Sequence, residues 1–187
     1  MCKGISGLIH HKRGVLLWDG SNSHTEIKEH FNIKDGQPVE LRRFVKFELW
    51  PTGKLTSLKP TDWKFVLDET EQPDWFIESE WSSKCKAEAK KIIRSWIKNG
   101  CSCDLWLEST KVTSLGELAS VGGSLDLVGT KITSLGKLTS VGGDLWLIGT
   151  KITSLGKLTS IGGDLWLVGT KITIAQTKNI ACNGIYI

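Results

Sequence analysis

The sequence has little that would place it in a membrane. None of its apolar runs approaches the roughly 18 residues that cross a bilayer, so we do not expect a membrane protein. The first residues also lack a long apolar stretch and a small-residue cleavage site, which predicts a cytoplasmic protein without a secretory signal. With 40% apolar and 24% charged residues in 187, the chain has the composition of one globular domain or two small ones.

Cysteines are few and irregularly spaced. The five, an odd number, indicate reduced thiols rather than a disulfide framework. Cys101 and Cys103 are separated by one residue, and no second Cys or His pair nearby completes a zinc site. We therefore expect no metal and no cofactor.

Charge is not strongly of one sign. The net charge is +4, and residues 1–100 contribute 17 Lys/Arg against 14 Asp/Glu. Such a mild bias makes a nucleic-acid partner the less favoured class.

The second half repeats itself every 20 residues. The segment 144–147 (Asp-Leu-Trp-Leu) recurs in related form at 104–107, 124–127 and 164–167, and 184–187 ends the series in phase. A fixed period of this length is the signature of a solenoid, whose repeats bury their apolar faces only by stacking. The sequence therefore predicts a parallel β-solenoid of four coils plus a terminal strand over residues 101–187.

Within each repeat, the apolar spacing predicts a short strand followed by turns. Leu145 and Leu147 point inward and alternate with outward side chains. The later apolar positions, three residues apart, favour irregular or 3₁₀-like turns, and we attribute the Gly-Gly pair to a sharp turn at positive φ. The pattern Leu145-x-Leu147-x-x-Thr150-x-Ile152 resembles the short leucine-rich repeats of bacterial proteins, with Thr in place of the usual Asn.

The first half reads as an α+β domain over residues 1–100 with the order ββαββα. We predict strands at 4–9, 14–18, 39–50 and 63–67, and a capping box Ser23-His24-Thr25-Glu26 that opens a short helix. Apolar residues at helical spacing predict an amphipathic helix over 78–98. We expect that helix to cap the first coil and the altered last repeat to cap the other end.

Short motifs in this half, including Met1-Cys2, Asp62-Trp63 and the segment 73–76, resemble an N-terminal domain of bacteriophage-encoded proteins that precedes various short repeats. The resemblance implies a phage accessory protein in the bacterial host cytoplasm. It implies no activity. Small proteins of that kind often act on host factors, so we expect a non-enzymatic module that inhibits or redirects a host protein, for example a defence or CRISPR component.

Tryptophan is unusually frequent, with nine against a single Tyr and a single Met. The repeats place several aromatic residues outward in one column about 4.8 Å apart, flanked by carboxylates, which favours docking on a host or phage protein with a basic surface. The alternative is that the column only stabilises the sheet by stacking. The predicted binding residues are Trp106, Trp146, Trp166, Tyr186, Asp104, Asp126, Asp144 and Asp164.

A second column is basic. Like charges in register are tolerated when solvent screens them and block edge-to-edge aggregation, which is the favoured interpretation; an anionic partner is the alternative. The column consists of Lys111, Lys131, Lys151 and Lys171.

Two other functions stay open. If Met1 is removed, Cys2 carries a thiol and an amine, and His24, oriented by Asp68 or Glu69, would complete a small enzyme. The competing interpretation is that Cys2 is a small buried residue and that His24 merely begins a helix. The other open function is a virion or assembly component that uses the solenoid as a structural rod.

Overall fold

The computed structural model describes residues 3–34 and 36–187. A small α+β region comes first, and a parallel β-solenoid of about four turns follows over residues 105–186. Among the described residues, no helix combines the length and apolar character that crossing a membrane requires.

The α+β region is built on one antiparallel sheet with strand order β2-β1-β3-β4. The region also contains two helices: α1 precedes β3 in the chain, and α2 follows β4. The elements of this region are β1 Ile5–His10, β2 Gly14–Leu16, α1 His24–His30, β3 Phe44–Pro51, β4 Trp63–Leu67 and α2 Glu78–Asn99.

Two local predictions in this region are wrong. The segment predicted as the first part of a strand forms a 3₁₀ helix, Val39–Leu41, after Pro38, whose fixed φ interrupts extended pairing. Ser23 is the N-cap of α1 by position, but its side chain makes no capping hydrogen bond. A capping box does occur at Thr173 and Gln176, at the start of the short helix α3 Ile174–Thr177 in the last coil.

Helix α2 buries the stripe that its apolar spacing predicts. Cys85, Ala89, Ile93 and Trp96 are buried on one face, and Gly100 ends the helix with a φ of 83°. These four side chains belong to the same hydrophobic cluster as the inward leucines of the coils. One core therefore runs from the antiparallel sheet through the helix into the solenoid.

The coils form two parallel sheets of very short strands; each of the first three coils contributes a strand to both sheets, and the fourth contributes only to the larger one. The larger sheet contains the predicted outward aromatic positions and has the order β12-β11-β9-β7-β5. A second sheet, β10-β8-β6, forms where the sequence predicts turns. The strands are β5 Leu105–Trp106, β6 Ser120–Val121, β7 Leu125–Asp126, β8 Ser140–Val141, β9 Leu145–Trp146, β10 Ser160–Ile161, β11 Leu165–Trp166 and β12 Ile185–Tyr186.

The Gly-Gly pairs are required by contact between coils, not by positive φ as the sequence predicts. None of the glycines at 122–123, 142–143 and 162–163 has a positive φ. A Cβ on Gly162 would lie 2.0 Å from the carbonyl oxygen of Gly142, and one on Gly163 would lie 2.0 Å from Oδ1 of Asp144. Adjacent coils touch through their backbones at these positions.

A threonine closes the corner of the coil. Thr130 is buried, and both its backbone N–H and its hydroxyl donate to the carbonyl oxygen of Leu127, at 3.1 and 2.7 Å. Thr110 and Thr150 make the same pair of bonds in their own coils. Threonine therefore satisfies a buried backbone carbonyl at the corner.

The α+β region joins the first coil by main-chain hydrogen bonds. Gly4, just before β1, donates its N–H to the carbonyl oxygen of Trp106 at 3.0 Å. Leu55 donates to the Ser114 carbonyl at 2.8 Å, and Thr113 donates to the Gly53 carbonyl at 2.9 Å. The first edge of the solenoid is thus paired rather than open.

The last coil is more exposed than the others. Ile174 is 66% exposed, and Ile187 at the end of the chain is 57% exposed. Ile185 and Tyr186 on β12 are also exposed. The altered residues of this coil therefore leave apolar surface in contact with solvent.

Candidate functional site

The outward aromatic residues of the larger sheet form what we call the aromatic row: Trp106, Trp146, Trp166 and Tyr186. The three tryptophans are half-buried, and Tyr186 is 43% exposed. The alternation of the strands holds these side chains outward while the neighbouring leucines fill the core.

The row is divided into two stacked pairs rather than one continuous column. The rings of Trp106 and Trp146 stack with centroids 5.6 Å apart, although the coil that carries Asp126 lies between their strands. The rings of Trp166 and Tyr186 stack at 3.9 Å with an interplanar angle of 9°. The tryptophans therefore contribute to the packing of the sheet and also present ring surface to solvent.

Asp126 lies between the strands of the first stacked pair. Its Oδ1 accepts a hydrogen bond from the backbone N–H of Val128 at 2.8 Å. Partial burial raises the pKa of the Asp126 carboxyl, and the nearby Glu108 carboxylate raises it further. Asp126 is thus a half-buried acid between the strands of two aromatic residues.

The flanking aspartates have a structural task that the sequence does not reveal. Oδ1 of Asp104 accepts the backbone N–H of Ser124 at 2.7 Å, and Oδ1 of Asp144 accepts that of Asp164 at 2.7 Å. In the intervening coil, the Ser124 hydroxyl accepts the N–H of Asp144 at 3.1 Å. These side chains link one coil to the next and keep a negative charge beside the aromatic row.

A recess of about 430 Å³ lies at the first end of the row. Trp106 and Asp104 line it from the solenoid, and Glu26 of helix α1 and the segment 20–23 line it from the α+β region. Its acidic and aromatic lining suits a cationic side chain.

The basic column lies five positions after the outward residue of each coil in the sequence, and we call it the basic edge. Lys111, Lys131, Lys151 and Lys171 are all exposed, as the sequence predicts for a solvated edge. Elsewhere on the coils, the Glu117 carboxylate contacts Lys137 at 2.6 Å and Lys54 at 3.5 Å, and these ammonium groups lower the pKa of Glu117.

The described cysteines are free thiols at Cys85, Cys101, Cys103 and Cys182. The Sγ atoms of Cys101 and Cys103 are 3.7 Å apart, and the hydrogen bond from the Cys103 thiol lowers the pKa of Cys101. The same hydrogen bond raises the pKa of Cys103.

The proposed catalytic residues are only partly brought together. Cys2 lies outside the described residues. His24 is buried at the start of α1; its Nε2 lies 3.0 Å from the Phe47 carbonyl oxygen, and its Nδ1 lies 3.5 Å from Oδ2 of Asp68. Glu69 instead contacts Arg42 and Lys46.

A second carboxylate, that of Glu48, lies close to His24 and Asp68. Its buried carboxylate accepts the backbone N–H of Lys3 at 3.0 Å and the indole N–H of Trp50. Potential ligand atoms of His24, Glu48 and Asp68 lie within 4.8 Å of one another, so the donor set has the composition of a divalent-metal site. The sequence did not single out Glu48, which lies mid-strand on β3.

Comparison of the chain with protein-family models, curated proteins and solved structures finds no match. Functional assignment therefore rests on these surfaces and on the chemistry of their side chains.

Proposed function

We propose that the protein is a non-enzymatic binding module whose aromatic row docks on a partner protein with a basic surface. The observation that supports this proposal is the pair of ring stacks on one face of the solenoid. Stacking holds four large side chains in fixed orientations before any partner arrives, which lowers the entropic cost of binding. Aromatic anchors of this kind contribute most of the binding energy at protein interfaces.

The charge around the row supports a cationic partner. Asp104, Asp144 and Asp164 each use a side-chain or backbone atom to link coils but remain on the surface beside the rings. Glu108 and the acidic recess at Trp106 add further negative charge. Arg or Lys side chains of a partner would find both carboxylates and ring faces.

The resemblance to phage-encoded proteins guides the choice of partner. A host bacterial protein met in the host cytoplasm, including a component of a defence system, is the class to test first. In this proposal the coils are leucine-rich in type, and the α+β region is the N-terminal cap that positions them.

The test compares matched variants in affinity capture from a bacterial lysate, followed by titration with the captured protein. We expect Trp146→Ala to weaken binding by about 2 kcal/mol, a typical hot-spot loss. The control is Lys131→Ala/Lys151→Ala on the basic edge, which should leave binding almost unchanged.

Thermal melts of the same variants separate binding from folding. A loss of binding affinity in the lysine variant alone would contradict the proposal and would place the binding site on the basic edge. The proposal would also be contradicted if Trp146→Ala bound the partner normally while folded and lost binding only at temperatures at which it is unfolded. The ring would then act through packing alone.

A second candidate function, an enzyme that uses Cys2 as nucleophile, is favoured by the contact of His24 with Asp68. A carboxylate at Nδ1 orients an imidazole in nucleophilic sites. This enzymatic function requires removal of Met1, which a measurement of the intact mass of the native protein detects. We then expect Asp68→Asn to slow alkylation of Cys2 by iodoacetamide about tenfold, whereas Glu69→Gln, the matched control, should not. Retention of Met1, or equal alkylation rates in the Asp68→Asn and Glu69→Gln variants, would exclude this function.

A further inference from the structure

A cleft of about 850 Å³ opens where the β1–β2 turn meets the start of β3, and we call it the cationic cleft. The opposite end of β1 contacts the solenoid through Gly4, and β1 has six residues, so the cleft lies about 20 Å along the strand from the aromatic row. Its charged lining residues among those described are Lys34, Arg42, Arg43, Lys46 and Glu69.

The charge of the cleft is concentrated. Among the lining residues that the structure describes, four cationic side chains face one carboxylate, which gives them a formal charge of +3 with the histidines neutral. The whole chain has a net charge of only +4. A concave surface with this excess of one sign attracts and concentrates anions.

Two of the cations are held in place. The Glu69 carboxylate contacts the Arg42 guanidinium, and its other oxygen lies 3.0 Å from Nζ of Lys46. The side chains of Arg42 and Lys46 are only 20% and 23% exposed. One carboxylate cannot neutralise both, and the fixed guanidinium has further N–H groups for phosphate oxygens.

An aromatic wall adjoins these cations. The indole N–H of Trp75 donates to the Arg42 carbonyl at 2.8 Å, which fixes the ring beside the guanidinium-bearing segment. The His11 ring lies 5.6 Å from the Trp75 ring, centroid to centroid. Leu41, 64% exposed, adds apolar surface to the same cleft.

We propose that the cationic cleft binds a nucleotide with two or three phosphates. The phosphates would contact Arg42, Arg43 and Lys46, and the base would lie against Trp75 and Leu41. A volume of about 850 Å³ falls within the roughly 300–1,000 Å³ of small-molecule sites. A bare inorganic anion would leave the apolar and aromatic wall without a contact, whereas a ligand that carries a flat ring would cover it.

The titration of His10 agrees with a positive field in the cleft. Burial lowers the pKa of His10 first, and the nearby cations Arg13 and Arg43 lower it further. Its Nδ1 accepts the backbone N–H groups of Lys12 and Arg13, as a neutral imidazole does.

The test is calorimetric titration of the full chain with ATP, AMP and inorganic pyrophosphate at low and high salt. We expect ATP to bind more tightly than AMP or pyrophosphate, with an affinity that falls as salt rises. The double variant Lys34→Glu/Arg43→Glu changes two exposed residues and should weaken ATP binding at least about tenfold, or about 1.4 kcal/mol. The matched control Lys131→Glu/Lys151→Glu makes the same charge change on the basic edge and should bind ATP as the parent does.

Trp75→Phe separates the ring contribution from the charge contribution. It should weaken ATP binding and leave pyrophosphate binding unchanged; if this variant does not fold, the charge variants decide. Three results would overturn the proposal: no ATP binding at millimolar concentration, equal ATP affinity in the cleft variant and its control, or pyrophosphate affinity equal to that of ATP.

Discussion

At the scale of single residues, the positions where neighbouring coils touch tolerate no side chain larger than that of glycine. Gly162→Ala places a Cβ 2.0 Å from the Gly142 carbonyl oxygen, and the backbone of both coils must move apart to admit it. We expect a loss of about 2 kcal/mol or more in the free energy of unfolding, as in overpacked cores. Urea denaturation measures it.

The control is Gly53→Ala, because a Cβ at Gly53 meets nothing within 4 Å and its φ is not positive. Equal stabilities of the two variants would show that the coils do not touch at Gly142 and Gly162.

Asp126 gives a prediction on pH dependence. Its pKa is higher in the folded chain than in the unfolded chain, so folding favours the protonated form. This contribution to stability is complete below the ordinary Asp pKa and is lost as the pH rises through the raised value. We therefore expect Asp126→Asn to raise the melting temperature at pH 7 and to change it little at pH 3.

Asn keeps the Oδ1 atom that accepts the Val128 N–H, so the substitution isolates the charge. The same change at the exposed Asp74 serves as the control. A melting temperature that Asp126→Asn lowers at neutral pH would contradict the argument.

Single residues also show how much of the structure can be predicted from a sequence repeat. The 20-residue period predicts which side chains face outward, because alternation along a strand is a property of the backbone. It does not predict that Trp146 stacks on Trp106 across the coil of Asp126, or that Asp104 binds the next coil. Those contacts depend on rotamers and on the exact offset between coils.

At the scale of elements, helix α2 offers a matched pair of substitutions. Ile93 is buried in the shared core and Ile97, one turn later, is 38% exposed. We expect Ile93→Ala to cost about 3 kcal/mol of the free energy of unfolding through transfer and cavity terms, and Ile97→Ala to cost about 1 kcal/mol or less. Denaturant titrations of both variants check this, and similar losses would place the helix in a different orientation.

The elements differ in how well the sequence predicts them. Helix α2 was predicted to within one residue at its end, since a long amphipathic period has few other interpretations. The sheet of β6, β8 and β10 was missed, because the apolar positions there recur three residues apart, a spacing that favours turns over strands. The Val39–Leu41 turn was missed because the apolar run there suits either structure.

At the scale of the whole molecule, the shared core predicts one unfolding transition. Inward leucines of the coils, the buried face of α2 and the strands β1 and β3 belong to one cluster. We expect tryptophan fluorescence and far-ultraviolet circular dichroism to report coincident denaturation curves. Residues 101–187 alone should aggregate or fail to fold, because Leu105, Leu107 and Val112 would lose their cover. Two separate transitions, or a soluble fragment that melts cooperatively, would contradict this.

The candidate sites were the least predictable feature at this scale. His24 and Asp68 are 44 positions apart in sequence. The pairing of β3 with β4 brings Asp68, just after β4, close to His24. The cationic cleft draws residues from 10 to 75, so no local motif marks it.

The near-identity of neighbouring coils has a consequence for how the gene can change. Residues 131–150 and 151–170 differ only at Val141/Ile161 and Ile148/Val168. A recombination event that removes or duplicates one such unit would rejoin the chain with every inward leucine, Gly-Gly contact and corner threonine still in phase. The solenoid can therefore lengthen or shorten by whole coils in a single genetic step, and each step would add or subtract one aromatic ring on the outer face.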